Sequence, residues 1–433
     1  MASAPYTNAD TLAGLNGLYK QIYSSEGVQD LVPESSKLQK LIPFKDGMEK
    51  LGSQYVVPVI LALENGITFG GNSGDMFDLN PPIAMQMGSA QVVSNAHILR
   101  SGIPYTVASR STTSEAAFVN GPGLIMENMI KSMSRVIEIE MLYGQAAKGL
   151  GAVASVTGLT STTVSLTFGQ AEWAAGIWMG SKGLLLDLVN SSNSAVVNST
   201  GALQVTAVNI ASKTITVTGV AADVTAITTL YGASGSGFVT WAGSETKQFV
   251  GLNNIFQNVS GTLFNINAAQ NELWQGNVFN VNANLTFDGI GTGLAQAQAR
   301  GLDGDVELFV SPVTWKFLND SAPVALRTFD KSYDPNEAKL GSKTLSYYTQ
   351  SGVVNIHSHI YCKQGEAYAF NADEIIRVGS APVGFNLPGG VNNDDIFLHA
   401  PNSAGFEVRA YGDEAILPLK PAACTLFTGI TNS

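Results

Sequence analysis

The arrangement in this chain closest to a reactive site is His357-Ser358-His359. On a strand, residues two apart face the same way, so both imidazoles, with Tyr361 beyond them, would line one face and could begin a metal site. Such a site needs at least one more ligand, and no carboxylate or thiol is placed by spacing to supply it. The plainer reading is a strand face carrying two partly exposed histidines. His97 and His399 stand alone, so no Ser-His-Asp arrangement follows from spacing.

Gly289-Ile290-Gly291-Thr292-Gly293-Leu294 follows Leu285-Thr286-Phe287 and has the strand-to-helix context of a phosphate loop. A dinucleotide fingerprint needs glycine or alanine at its sixth position, where Leu294 or Gln296 stands according to frame, and no Walker lysine follows. A glycine-rich turn is the simpler account. Gly232-Ala233-Ser234-Gly235-Ser236-Gly237 misses the frame of a nucleophile elbow and reads as a loop returning from a β segment. Asp394-Asp395 and Asp303-Gly304-Asp305 read as solvated loop carboxylates, with calcium binding as the sharper alternative. Cys362 and Cys424 are too few for a disulfide framework and lack zinc spacing, which leaves two partly buried free thiols in a reducing compartment. Triplets such as Asn198-Ser199-Thr200 and Asn284-Leu285-Thr286 are expected in a chain this rich in Asn, Ser and Thr. No catalytic residue, cofactor-binding residue or metal ligand is assigned, and the chain reads as a non-enzyme.

The elements that would position these residues carry more information. The chain has 433 residues, enough for two or three domains. Its 13% charged content is about half the average for soluble domains. Coiled coils and solvated rods need charge, and 45% hydrophobic content excludes a disordered chain. A net charge of -11 argues against wrapping nucleic acid by neutralising phosphates. Met1 to Asp10 lacks the features of a secretory signal, and the longest apolar run, Val56 to Leu63, is far too short to span a bilayer. The expectation is a protein made in the cytoplasm, without membrane contact.

Residues 1–50 read as an arm with short helical pieces, broken at Pro33 and Pro43. From Tyr55 to Arg110, β-branched runs flank the glycine-dense stretch Gly66 to Asp75, which predicts two long strands with a turn-rich tip. Pro58 makes one of them an edge. Such a hairpin has no core of its own and needs a surface to lie on. Asn120 or Gly121 can cap a helix opening at Pro122, with Ile125, Met129, Met133, Val136 and Ile137 on one face and a stop at Gly144 or Gly149. A run to Lys148 would be roughly 40 Å long. Between Lys148 and Glu245 the only charges are Glu172, Lys182, Asp187, Lys213 and Asp223. Period-two runs at Thr162–Thr167, Leu203–Val208 and Thr214–Thr218 predict an inserted antiparallel barrel or sandwich. Beyond Phe249 the pattern is mixed α/β. A helix is expected over Leu294–Arg300, starting as early as Asn284, and another after Ser311-Pro312. Strands are expected at Val306–Val310, Val353–Tyr361, Ala367–Phe370, Ile375–Val378, Gly405–Tyr411 and Ala415–Leu419.

This order of pieces resembles the major capsid proteins of tailed double-stranded-DNA bacteriophages. The resemblance rests on the extension Tyr55–Arg110, the spine helix Pro122–Lys148, the segment Phe249-Val250-Gly251-Leu252-Asn253-Asn254-Ile255 leading to Trp274, and the finish from Phe406-Glu407-Val408-Arg409 through Asp413 and Ala415 to Pro418. It implies an α+β fold: an N-terminal arm (1–50), an extended loop (51–120), the spine helix of a peripheral domain (121–150), an inserted all-β domain (151–248), more of the peripheral domain (249–283), an axial domain (284–400) and closing peripheral strands (401–433). It also implies hexamers and pentamers in an icosahedral shell around packaged DNA, touched only weakly and non-specifically. A portal, a separate scaffolding protein and decoration or cement proteins would be the partners. Some relatives crosslink through a lysine on the extended loop, but no lysine lies between Lys50 and Lys131 here. Two other readings stand beside this one, a bacterial encapsulin-type nanocompartment shell and a secreted β-rich adhesin or surface-layer protein. An enzyme using the His357/His359 face is a third.

Overall fold

The computed structural model describes residues 35–42, 44, 54–72, 74, 76–104, 121–321, 345–349, 352–385, 396–399 and 405–432. Most of the expected arm, Tyr105-Thr106-Val107, the Asn120 cap and Asp394-Asp395 lie outside them.

A five-residue helix, α1 (Lys37–Leu41), precedes strand β1 (Tyr55–Ala62), which pairs antiparallel with β2 (Gln86–Val92). Tyr55 faces Val92 and Pro58 faces Ser89. Among the described residues β1 pairs with β2 only, the edge position in which a proline is tolerated. Between the strands an isolated bridge joins Asn65 and Ile83. The β-branched run that continues to Pro104 does not extend this hairpin. As β3 (Asn95–Pro104) it pairs over its whole length with a strand near the C-terminus.

Helix α2 (Gly121–Tyr143) has 23 residues and is about 35 Å long. In its first half only one stripe packs, where Met129 and Met133 meet Val408 and Ala410. From Ile137 to Tyr143 every residue is buried. It stops at Gly144, where a Cβ would sit 2.1 Å from the Phe249 carbonyl oxygen. The Gly251 N–H donates to the Gly144 carbonyl at 2.8 Å, so two glycines let the chains touch at backbone distance.

The insertion is a closed antiparallel barrel of β4 (Gly151–Gly158), β5 (Thr163–Phe168), β6 (Leu185–Asn190), β7 (Leu203–Asn209), β8 (Thr214–Thr218) and β9 (Gly237–Trp241), in the order β4-β5-β8-β7-β6-β9. Alternation places Val164, Leu166, Phe168, Ile215 and Val217 inside and hydroxyls outside. It is not purely β. A short helix, α3 (Ala175–Trp178), packs below it, and α4 (Ala221–Gly232) buries Val224 and Ile227 against the barrel wall. Threonines at 225, 228 and 229 hide α4 from a propensity reading, and tertiary burial overrides them. The chain enters and leaves the barrel side by side, with the Leu150 N–H on the Val239 carbonyl at 2.8 Å.

The remainder comprises α5 (Leu252–Gln257), β10 (Thr262–Leu263), β11 (Ile266–Asn267), β12 (Asn277–Asn280), α6 (Phe287–Gln298), β13 (Val306–Val310), α7 (Pro312–Ser321), β14 (Leu345–Tyr348), β15 (Val353–Ser358), β16 (Ala367–Phe370), β17 (Ile375–Gly384), β18 (Phe397–His399), β19 (Gly405–Pro418) and β20 (Thr425–Thr428). A mixed six-stranded sheet runs β12-β20-β16-β13-β15-β14. It draws on residues before 284 and after 400 as well as between them. A second sheet joins β17, β18 and β3 to β19. The expected strands at Gly405–Tyr411 and Ala415–Leu419 form one strand of 14 residues, because Gly412 continues the ladder opposite His97. Among the described residues no helix is long and apolar enough to cross a membrane.

Candidate assembly surface and the buried joint behind it

The β1-β2 hairpin has two unlike faces. Tyr55, Val57, Val59 and Leu61 turn toward the chain's own body, where the Gln91 N–H donates to the Phe264 carbonyl at 2.9 Å. Gly88 permits this seat, since a Cβ there would lie 3.4 Å from Ile266 Cδ1 and 2.9 Å from Leu61 Cδ1. Val56, Ile60 and Met87 occupy the opposite face and are exposed. Beyond them the connection exposes Leu63 (80%), Phe69 (89%) and Leu79 (80%). No Lys or Arg occurs between Lys50 and Arg100. Fully burying one such side chain is worth about 1.5–3 kcal/mol, and monomeric proteins rarely display apolar patches this continuous.

Behind the hairpin, charged side chains of α2 tie it to α1, β3, the end of β15, the segment at Phe249 and α3. Glu138, fully buried, accepts from the Leu38 and Gln39 N–H groups at 2.7 and 3.0 Å and pairs with His359 Nε2 at 2.9 Å. Arg377 donates to the Gln39 and Ile42 carbonyls at 3.1 and 3.3 Å while paired with Glu414 at 2.5 Å. Helix α1 is too short to persist alone. It is held by an anion at its N-terminal amides and a cation at its C-terminal carbonyls, the signs its dipole favours.

Two residues further along α2, Glu140 accepts from the Phe249 N–H at 2.7 Å and lies 2.7 Å from His97 Nε2. Burial works against the His97 cation, but the hydrogen bond and charge of Glu140, with Glu414 near, outweigh it and raise the imidazole pKa. Burial raises that of Glu140 despite His97. Both shifts hold a proton in the pair.

The barrel is fixed by a parallel device. Arg135 donates to the Gly176, Ile177 and Met179 carbonyls at 3.0, 3.0 and 2.6 Å, closing the end of α3. Lys363, buried over the Tyr143 ring at 4.6 Å, meets Glu172 at 3.2 Å and the Gly149 carbonyl at 3.1 Å. Burial opposes the Glu172 carboxylate, yet Lys363 and Lys148 together lower its pKa. Asp187 and Asp223 are spent inside the barrel, on the Asn198 side chain and the Gly243 N–H and on the Thr200 and Gly201 N–H groups. No carboxylate of the pair is left free for the barrel's outer face, where Lys182 is exposed among hydroxyls, amides and apolar side chains such as Leu159 and Ile210.

The residues singled out by spacing have other occupations. β15 ends at Ser358, so His357 and His359 part company. His357 pairs with Glu307 and stacks on Phe309, whereas His359 is fully buried against Glu138 rather than partly exposed. Each imidazole has its own carboxylate, and among the described residues no group of three metal-ligating side chains forms. Gly289 to Leu294 is not a turn but part of α6, with Thr286 Oγ1 accepting from the Gly289 N–H at 3.2 Å. Gly293 is there for space, since a Cβ would lie 2.3 Å from the Phe427 ring. Gly232 to Gly237 lies within the insertion, between α4 and its last strand. Asp303 and Asp305 accept from the Gly304 and Val353 N–H groups at 2.9 Å each. Cys362 and Cys424 are completely buried, and burial pushes both thiols up. Spacing missed Glu138, Glu140, Lys363, Arg377 and Glu414. The available signal was Ile137-Glu138-Ile139-Glu140-Met141, in which carboxylates interrupt a run with no polar face to receive them.

No protein-family model matches the chain, and no curated protein matches it by sequence. Solved structures do. The capsid asymmetric unit of cyanophage A-1(L) aligns at TM-score 0.51 and 10% identity, covering 94% of this chain and 96% of that one. The capsid of a native GTA particle aligns at 0.47 and 7%, covering 97% and 99%. The SrpI encapsulin complex of Synechococcus elongatus PCC 7942 aligns at 0.44 and 8%, covering 98% and 96%. The first of these likenesses gives the fold: the chain has the fold of that phage capsid protein, with the barrel lying between its long helix and α5.

Proposed function

We propose that the chain is the major capsid protein of a tailed double-stranded-DNA phage, a structural subunit without enzymatic activity that assembles as hexamers and pentamers into the icosahedral shell of a virion. The observation that carries this is the hairpin: on a capsid fold, a projecting two-stranded sheet with an uncharged apolar outer face requires a neighbouring copy. In this reading 121–150, 249–283 and much of 401–433 form the peripheral domain and most of 284–400 the axial one, while the barrel faces outward or braces neighbours. The net charge of -11 keeps the inner wall from adhering to packaged DNA. Synthesis occurs in the host cytoplasm, and assembly uses a separate scaffolding protein and a portal, with decoration proteins as further partners.

Light scattering and negative-stain microscopy of the purified chain test this directly. Closed shells or capsomers are expected, and a stable monomer of about 45 kDa under every assembly condition overturns it. Nuclease-protected DNA inside the particles separates a virus from a nanocompartment, which would hold a protein cargo.

A further inference from the structure

The hairpin connection contains an Asn-Gly pair, Asn65-Gly66, held at a backbone bridge. Asn65 is exposed, and its backbone N–H and carbonyl are both bonded to Ile83, at 3.0 and 2.9 Å. The next residue is Gly66, whose φ of +122° favours glycine. A Cβ there would also approach the Pro81 carbonyl oxygen to 2.8 Å, so no other residue fits this bend. The Gly66 N–H donates to Oδ1 of Asn65 at 2.9 Å, which folds the side-chain amide back over the following peptide nitrogen. A backbone nitrogen without a neighbouring side chain is thus held against an exposed side-chain amide by the geometry of the turn itself. The other Asn-Gly pairs begin at Asn16 and Asn120, outside the described residues.

We infer that Asn65 is a spontaneous deamidation site, and that its conversion retires an unassembled subunit from assembly. The first part stands on the turn geometry alone, and the second rests on the capsid reading. The Gly66 nitrogen loses its proton to hydroxide and attacks Cγ of Asn65. The Cγ–Nδ2 bond breaks as the leaving nitrogen takes a proton from water, so that ammonia departs, hydroxide is regenerated and a five-membered succinimide closes. Water then opens the ring at either carbonyl, leaving aspartate or, with the backbone routed through Cβ and Cγ, isoaspartate. Water enters, ammonia departs, and nothing is oxidised or reduced. Either product places a second carboxylate beside Glu64 at the edge of the apolar face, and isoaspartate adds a backbone carbon at the bridge to Ile83. In a closed shell the neighbour that covers the hairpin excludes the water this chemistry needs.

Full-length protein, held unassembled at mildly alkaline pH in water enriched in heavy oxygen and digested at intervals, gives the test by peptide mass mapping. Label is expected at Asn65 at about tenfold the level at Asn193, an exposed asparagine followed by a bulkier serine. Equal or lower labelling at Asn65 overturns the inference and leaves the capsid reading untouched. N65Q removes the site, because its longer side chain disfavours ring closure. Aged wild-type protein is expected to lose shell formation while aged N65Q retains it. Equal loss in both overturns the assembly consequence, and failure of fresh protein of either kind to form particles overturns the capsid reading instead.

Discussion

Glu138 and Leu38 are 100 positions apart in sequence and 2.7 Å apart in space, carboxylate to backbone amide, with both residues fully buried. The same carboxylate holds His359, so one side chain joins the N-terminal segment, the long helix and the six-stranded sheet. Replacing Glu138 by Ala leaves two amides and an imidazole buried without an acceptor. A loss of about 3–5 kcal/mol is expected from urea unfolding. In native-state trypsin digestion Lys37 and Lys40 should become the earliest cleavage sites, and unchanged protection there would count against this joint.

The His97–Glu140 pair sets a pH window. His97 has a raised pKa in the fold, so its contribution is fully present below about 6.5 and is lost as pH rises through the folded value. Glu140, also raised, acts in the same direction from about 4.5 upward. The anchoring of β3 on α2 should therefore weaken toward alkaline pH. Hydrogen exchange of the β3 amides across pH, corrected for intrinsic rates, is expected to rise in wild type, and His97→Gln should remove the part of that rise owed to the imidazole while leaving the part owed to Glu140.

Glu172 gives the opposite slope. Its folded pKa is lowered, so the stability it lends is present above about 4.5 and disappears as pH falls through the folded value. Acid unfolding followed by the barrel tryptophans should begin at higher pH in Lys363→Met than in wild type.

Ile60→Glu and Met87→Glu place charge on the outer hairpin face, where both side chains are exposed. Monomer stability should change by less than about 0.5 kcal/mol. Particle formation should be abolished, and shells of normal yield from either variant would exclude this face from the interface.

Gly293→Ala forces a methyl group against the Phe427 ring. Overpacking of this kind costs about 1–3 kcal/mol, and thermal unfolding measures it.

Local pattern carried much of the fold into view. Val306–Val310 and Ala367–Phe370 match their strands, Pro122 and Gly144 bracket the long helix, and hydroxyl alternation in Thr214–Thr218 announces the barrel. Long-range pairing did not show. Nothing near Asn95 signals that β3 leaves the hairpin for a partner three hundred residues away, and β20 is too short to stand out. The joint was least legible, because a buried carboxylate is recognised by what surrounds it, and Glu138 takes its partners from residues 38, 39 and 359.

The barrel begins and ends at one place, where Leu150 bonds to Val239. Its two ends are therefore adjacent, and a short link between Gln145 and Gln248, which already bond to each other, would span the gap if the barrel were removed. Excision would strand two cations, Arg135 without its carbonyls and Lys363 without Glu172. A descendant or ancestor lacking the barrel should carry neutral residues at both positions, and that paired replacement is the scar by which its gain or loss can be traced in a lineage.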